Sequence, residues 1–222
     1  MTQQERAVRT RHALICSAAE EFERHGYIQA KLSDISASAG VSPGALHFHF
    51  ENKAAVAATV EASAGVSLRR EAWLAQRPGM NALQRLTNTS HALAERLRRD
   101  VVARAGFKLS YEAPHDSGPT LHQEWQVCVR QLLAEASDEA LLIDGIEYSA
   151  AADGIVAATT GFEMLGRDDP AWFSAATLTA YWRLILRSVA RPEILRALEP
   201  GGSPTRVEGH RSPIGYVAHD SS

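Results

Sequence analysis

What this sequence has little of sets its first limits. It holds only two cysteines, Cys16 and Cys128, each among apolar neighbours and neither part of a CxxC pair. That spacing excludes a zinc or dithiol site and a disulfide scaffold, leaving two reduced thiols. No apolar run approaches the roughly 20 residues that span a bilayer, so no membrane partner is expected. The opening stretch, Met1 to Phe22, carries charge throughout its first apolar segment and does not read as a signal peptide, so a cytoplasmic location is expected. Positive charge is also short: 23 Lys and Arg against 26 Asp and Glu give a net −3. Non-specific nucleic-acid affinity comes mainly from Lys and Arg meeting phosphate, so any nucleic-acid binding here must be local and geometrically organised. Strand signals and internal repeats are missing as well, because nowhere do four residues alternate cleanly between β-branched apolar and polar.

What is present is helical periodicity, in a chain of 222 residues with 45% apolar content that can bury a substantial core. Leu14, Ala18 and Phe22 recur at a spacing of four, and glycine at 26 suits a helix end, predicting a first helix over about 6–25. Further helices are expected over about 32–39, from Ser42 and Pro43, after Glu51 and Asn52 on to Arg77 before Pro78 and Gly79, and over about 80–98, 100–111, 120–135, 149–165 and 170–189. The segment Ala113 to Thr120, with two prolines and a glycine, reads as a loop. An all-α fold follows, divided into a small domain over 1–53, a larger helical domain over 54–199, and a Gly-, Pro- and Ser-rich tail over 200–222 that is expected to be mobile.

The segment LSDISASAGVSPGALHFH, Leu32 to His49, meets the steric demands of a helix-turn-helix. Leu32 and Ile35 form an apolar face, Ser36 and Ala39 are small where two helices approach, and Val41 fills the corner. Gly40 supplies the positive φ of the turn. Ser42 is placed as N-cap, accepting from the Ala45 amide, with Pro43 at the first helical position where a missing N–H costs nothing. Leu46 and Phe50 continue the apolar face. An arriving phosphate would meet free amides at this helix start, and the small Gly44 and Ala45 allow close approach to base edges. A glycine between two short helices is common in any helical protein. The following HFHFENK narrows the reading, with aromatic residues alternating with His47 and His49 and leading into Lys53.

At these residues the sequence resembles the TetR family of bacterial repressors, whose signature runs G-Y, then A-G-V-S, then G-x-L-Y-x-H-F and a lysine. The matching residues are Gly26-Tyr27, Ala39-Gly40-Val41-Ser42, the run Gly44 to Phe50, and Lys53. The resemblance implies that Ser42, His47, His49 and Lys53 touch phosphates and that Pro43, Gly44, Ala45 and His47 face the major groove of double-stranded operator DNA. Three departures stand out. Ala30 and Lys31 replace threonines, Pro43 stands where Lys or Arg is usual, and His47 stands for tyrosine. The lost threonine weakens the start of the second helix, while Lys31 restores one phosphate contact. The 1–53 domain carries six cations (Arg6, Arg9, Arg11, Arg24, Lys31, Lys53) and six anions (Glu5, Glu20, Glu21, Glu23, Asp34, Glu51). Affinity therefore depends on a homodimer that places two recognition helices in successive grooves.

GALHFHF and HQEWQVCVRQLL further resemble the γ-butyrolactone autoregulator receptors, which repress antibiotic biosynthesis or its regulators and release DNA on binding a small lipophilic ligand. Trp125 shares a helical face with Leu121, Cys128, Val129 and Leu132. It is either a core tryptophan or, as the resemblance implies, a wall of the ligand cavity, where a lactone carbonyl would accept from its indole N–H. Thr159 and Thr160 interrupt an apolar helix and either bond back to the preceding turn or face the ligand. Ser63 stands where the subgroup often has glutamine, which leaves open a pseudo-receptor that answers antibiotics or other molecules instead. The stripe Leu178, Tyr181, Trp182, Ile185, Val189 is read partly as dimer surface, with the small Ala150, Ala151, Gly154, Ala157 and Ala158 allowing close approach. An enzyme is not expected. His47-x-His49-x-Glu51 would put adjacent members on opposite faces of a helix, which rules out a compact metal shell. No phosphate loop, nucleophile elbow or HExxH occurs, and no cofactor is implied.

Overall fold

The structure, a computed structural model, describes residues 2–113 and 118–203. Within them lie nine α-helices and no strand, apart from one isolated bridge between Leu142 and Ala190. They are α1 (Gln3–Gln29), α2 (Leu32–Ser38), α3 (Pro43–His49), α4 (Lys53–Ala75), α5 (Ala82–Arg99), α6 (Val101–Glu112), α7 (Leu121–Asp138), α8 (Tyr148–Gly166) and α9 (Ala175–Val189). Most starts are fixed by side-chain caps that satisfy orphan amides. Asn52, Asn81 and Asp100 accept from the first turns of α4, α5 and α6, while Thr2 and Thr120 build capping boxes with Glu5 and Gln123. The first helix bends at Gly26 (φ 72°), where an end is expected, and then adds one more turn to Gln29. The helix expected over 170–189 divides into a 3-10 turn at Pro170–Phe173 and α9, because Ser174 caps a new start through the Thr177 amide.

Three apolar clusters organise the chain. The first joins Leu14, Ala18 and Phe22 of α1 to Ile35, Leu46 and Phe50, and also draws in Val56 and Val60 of α4 with Ala105 and Leu109 of α6. A cut at residue 53 therefore crosses a continuous core. The second unites α5, α7, α8 and α9 through Leu83, Leu86, Val129, Leu133, Ile155, Trp182 and Leu186. The third, with Leu68, Leu97, Phe107, Leu121, Phe173 and Leu178, surrounds the cavity considered below.

Two expectations change. Residues 200–203, placed with the mobile tail, are held against α5. Gln84 Oε1 accepts from the Glu199 amide at 2.8 Å, Asn88 Oδ1 from the Ser203 amide at 2.9 Å, and His91 Nε2 lies 2.9 Å from the Pro200 carbonyl. These polar side chains, one or two turns apart on α5, satisfy backbone groups that the composition left without partners. The rest of the expected tail, 204–222, and the centre of the 113–120 loop lie outside the described residues. In the α9 stripe, Leu178, Trp182 and Val189 are core and Tyr181 and Ile185 are partly buried, whereas Ala176, Ala180 and Leu184 face outward. A stripe of that width exceeds one contact face, so most of it serves the chain's own interior.

Candidate functional site

The helix-turn-helix forms as its residues require. Gly40 adopts φ 69°, its amide and that of Val41 donate to the Ala37 and Ser36 carbonyls, and Ser42 Oγ accepts from the Ala45 amide at 3.2 Å. Leu46 and Phe50 are buried, and Phe50 closes α3 in extended conformation. Lys31, Ser42, Pro43, Gly44 and His47 are exposed on one end of this unit, with Ala45 and His49 partly covered. Lys31 is itself the N-cap residue of α2 and makes no side-chain cap, the consequence of the missing threonine. Lys53 has a second occupation. Its ammonium donates to the Ile28 and Ala30 carbonyls at 3.0 and 3.2 Å and sits 4.8 Å from the Tyr27 ring centre. It thus ties the end of α1 to the start of α4, and one of its three N–H groups remains for a phosphate.

Behind this head, α4, α5, α6, α7, α8 and the start of α9 line a cavity of about 630 Å³. Trp125, Thr159 and Thr160 all line it, together with Phe107, Leu121 and Phe162. The indole Nε1 of Trp125 donates to Thr159 Oγ1 at 2.8 Å, and that hydroxyl lies 2.8 Å from the Ile155 carbonyl. The acceptor expected from a ligand is therefore supplied by the chain, and the pair fixes the indole as a shaped wall. Partial burial raises the pKa of the Tyr111 phenol. Burial also pushes the Cys128 thiol, another lining group, up to about 11, keeping it neutral and apolar. Glu163 is almost fully buried in the wall and is held by a two-pronged ion pair with Arg167 at 2.8 Å. At the rim, Arg69 of α4 meets both carboxylate oxygens of Glu124 of α7 at 2.9 Å, beside the exposed Trp73. Ser63 is not part of this lining; its hydroxyl donates to the Thr59 carbonyl within α4.

Sequence reasoning placed a helix over about 100–111 but missed that this helix, α6, joins the two sites. Phe107 lines the cavity, while Lys108 donates to the Glu23 carbonyl at 3.0 Å, Arg104 pairs with the Glu23 carboxylate, and Glu112 accepts from the Tyr27 amide at 3.1 Å. The signal was present in the charges at 104, 108 and 112, spaced by four on one face, with Ala103 and Phe107 on the next. Gly106 marks the closest approach of α6 to α4, where an added Cβ would collide with the Ala64 methyl.

A capped helix-turn-helix bolted to a helical domain with a mostly apolar cavity defines a ligand-responsive DNA-binding regulator. Residues 14–60 match the family described as bacterial regulatory proteins, tetR family. The chain is 31% identical over 205 residues to the A-factor receptor protein of Streptomyces griseus, covering 91% of this chain and 71% of that one. Among solved structures, a γ-butyrolactone receptor described as ArpA-like shares 26% identity with a TM-score of 0.77, covering 88% of this chain and 96% of that one. CprB of Streptomyces coelicolor, solved in complex with its operator sequence, shares 27% identity with a TM-score of 0.75, covering 86% and 94%. The chain belongs to the TetR family of transcriptional regulators, in the group of the A-factor and γ-butyrolactone receptors. Members of this family are regulators and not enzymes.

Proposed function

We propose that this chain is a repressor that binds operator DNA as a homodimer and leaves it on binding a small lipophilic signal of the γ-butyrolactone type, in the control of antibiotic biosynthesis. The observation that carries the reading is α6, a single helix with Phe107 in the cavity wall and Arg104, Lys108 and Glu112 on the end of α1. A ligand that moves Phe107 moves the grip on the head, and two heads held out of register lose the paired grooves. Lys31, Ser42, Pro43, Gly44, Ala45, His47, His49 and Lys53 form the DNA face. Trp125, Thr159 and Thr160 shape the ligand site, and the outward small residues Ala150, Gly154, Ala157 and Ala180 suit the two-fold contact.

A second reading, a pseudo-receptor for antibiotics or other molecules, draws on the ionic rim of Arg69 and Glu124, which an alkyl lactone does not use. The test is a mobility-shift assay with a duplex enriched from a random pool by the protein. Release by a synthetic alkyl γ-butyrolactone, lost in Trp125→Ala without loss of DNA binding, supports the first reading. Release by a polar antibiotic alone supports the second, and no binding to any duplex defeats both.

A further inference from the structure

The balanced charge of the head conceals a segregation along α1. Glu20, Glu21 and Glu23 stand in its second half, whereas Arg6, Arg9 and Arg11 stand in its first three turns with Glu5 as their sole acidic companion. Glu5 is spent in the capping box, accepting from the Thr2 amide at 2.8 Å. Among the described residues, none of the three arginines has a carboxylate within ion-pair distance. These turns bury little: only Ala7, Thr10 and Ala13 are partly covered, the buried positions of α1 begin at Leu14, and all three arginines are exposed. A helical segment without a buried face gains little from packing, yet this one is capped at its first residue.

The two ends of α1 face different partners. The end at Glu23 and Tyr27 docks on α6, and the other end runs free past the core. Arg11 marks where it leaves, its guanidinium 5.5 Å from the ring centre of Phe50, the residue that closes α3. The arginines thus start beside the C-terminal end of the recognition helix. The stretch from Arg6 to Arg11 covers about 8 Å of helix axis. Phosphates follow one another at about 3.4 Å along the axis on each strand, so an arm of this length meets a short run of them.

We infer that the first three turns of α1 are a second DNA-contacting element, in which Arg6, Arg9 and Arg11 meet the phosphodiester backbone bordering the half-site. The inference rests on the DNA-binding reading above. It adds the positive charge that the recognition helix lacks at Pro43 and His47, and it carries no sequence preference of its own.

The test compares wild type with the triple variant Arg6→Gln, Arg9→Gln, Arg11→Gln on the duplex enriched by the wild-type protein and on a scrambled duplex, across a salt series. Each lost phosphate contact lowers the slope of log K against log salt by about 1, so each arginine engaged in both subunits of a dimer removes about 2. A fall of 2 or more, with affinity reduced by the same factor on both duplexes, supports the inference. Arg24→Gln, at the far end of α1, leaves the slope at the wild-type value. If the triple variant loses helicity by circular dichroism, Arg9→Gln alone carries the test, with an expected fall of about 2. An unchanged slope in folded variants, or a loss confined to the enriched duplex, overturns the inference while leaving the DNA-binding reading intact. Failure of the wild-type protein to enrich any duplex removes both.

Discussion

Gly106→Ala probes the joint between the two sites most directly. A methyl there would overlap the Ala64 methyl and stand 3.2 Å from both the Glu61 Cα and the Val60 carbonyl oxygen, all rigid parts of α4. Carbon atoms pack at about 3.5–4.0 Å, so α4 and α6 must part by roughly 1 Å. Overpacking of this kind costs about 1–3 kcal/mol. The better helix propensity of alanine returns about 0.8–1.0 kcal/mol. The net expectation is a loss of up to about 2 kcal/mol, read in thermal denaturation as a fall of several degrees at about 2–4 °C per kcal/mol for a chain of this size. Parting these helices also shifts the heads, so operator affinity falls without ligand. Ala64→Gly moves the space to the facing helix, and the double variant Ala64→Gly, Gly106→Ala should recover both stability and binding. The reasoning is refuted if Gly106→Ala stabilises the protein by the full propensity gain. It is equally refuted if the two changes add within about 0.5 kcal/mol, as independent sites do.

Other outcomes follow from the same geometry. Ser42→Ala removes the cap of α3 and should cost about 1 kcal/mol of stability, with weaker operator binding in a mobility-shift assay. Trp125→Phe keeps a ring in the cavity wall but loses the bond to Thr159; calorimetry should show weakened ligand binding while DNA affinity stays at the wild-type value. Burial depresses the His122 pKa to about 3. Between pH 6.5 and 3 the unfolded chain then binds the extra proton, so this group's contribution to stability is present above pH 6.5 and drains away on acidification. His122→Asn should flatten that part of a denaturant-derived stability profile.

Much of the fold was legible because local chemistry decides it. Asn52, Asn81 and Asp100 each cap a helix, and Gly40 has little competition for the positive φ of a tight turn. The cavity was partly legible, since Trp125 stands on an apolar face and Thr159 interrupts another, but their bond to each other spans 34 positions and no periodicity reports it. The same limit hid Lys53 on the Ile28 and Ala30 carbonyls and Gln84 on the Glu199 amide. A lysine after a recognition helix reads as a phosphate ligand from sequence, and only the folded chain brings two carbonyls to its ammonium first. Residues 200–203 misled for a related reason: their composition is that of a loop, and the partners that order them lie on α5.

The two-faced position of α6 has a thermodynamic consequence for the signal itself. Whatever factor separates operator affinity in the liganded and free protein must equally separate ligand affinity on and off the operator, because the two equilibria close one cycle. With a coupling of about 1–3 kcal/mol, that factor is about 5–150. A dissociation constant measured on the free protein therefore describes the molecules already adrift in solution. The copy seated on its promoter answers only to a higher dose, and in the mechanism proposed above the threshold for switching is set jointly by Phe107 on one side of α6 and Glu23 on the other.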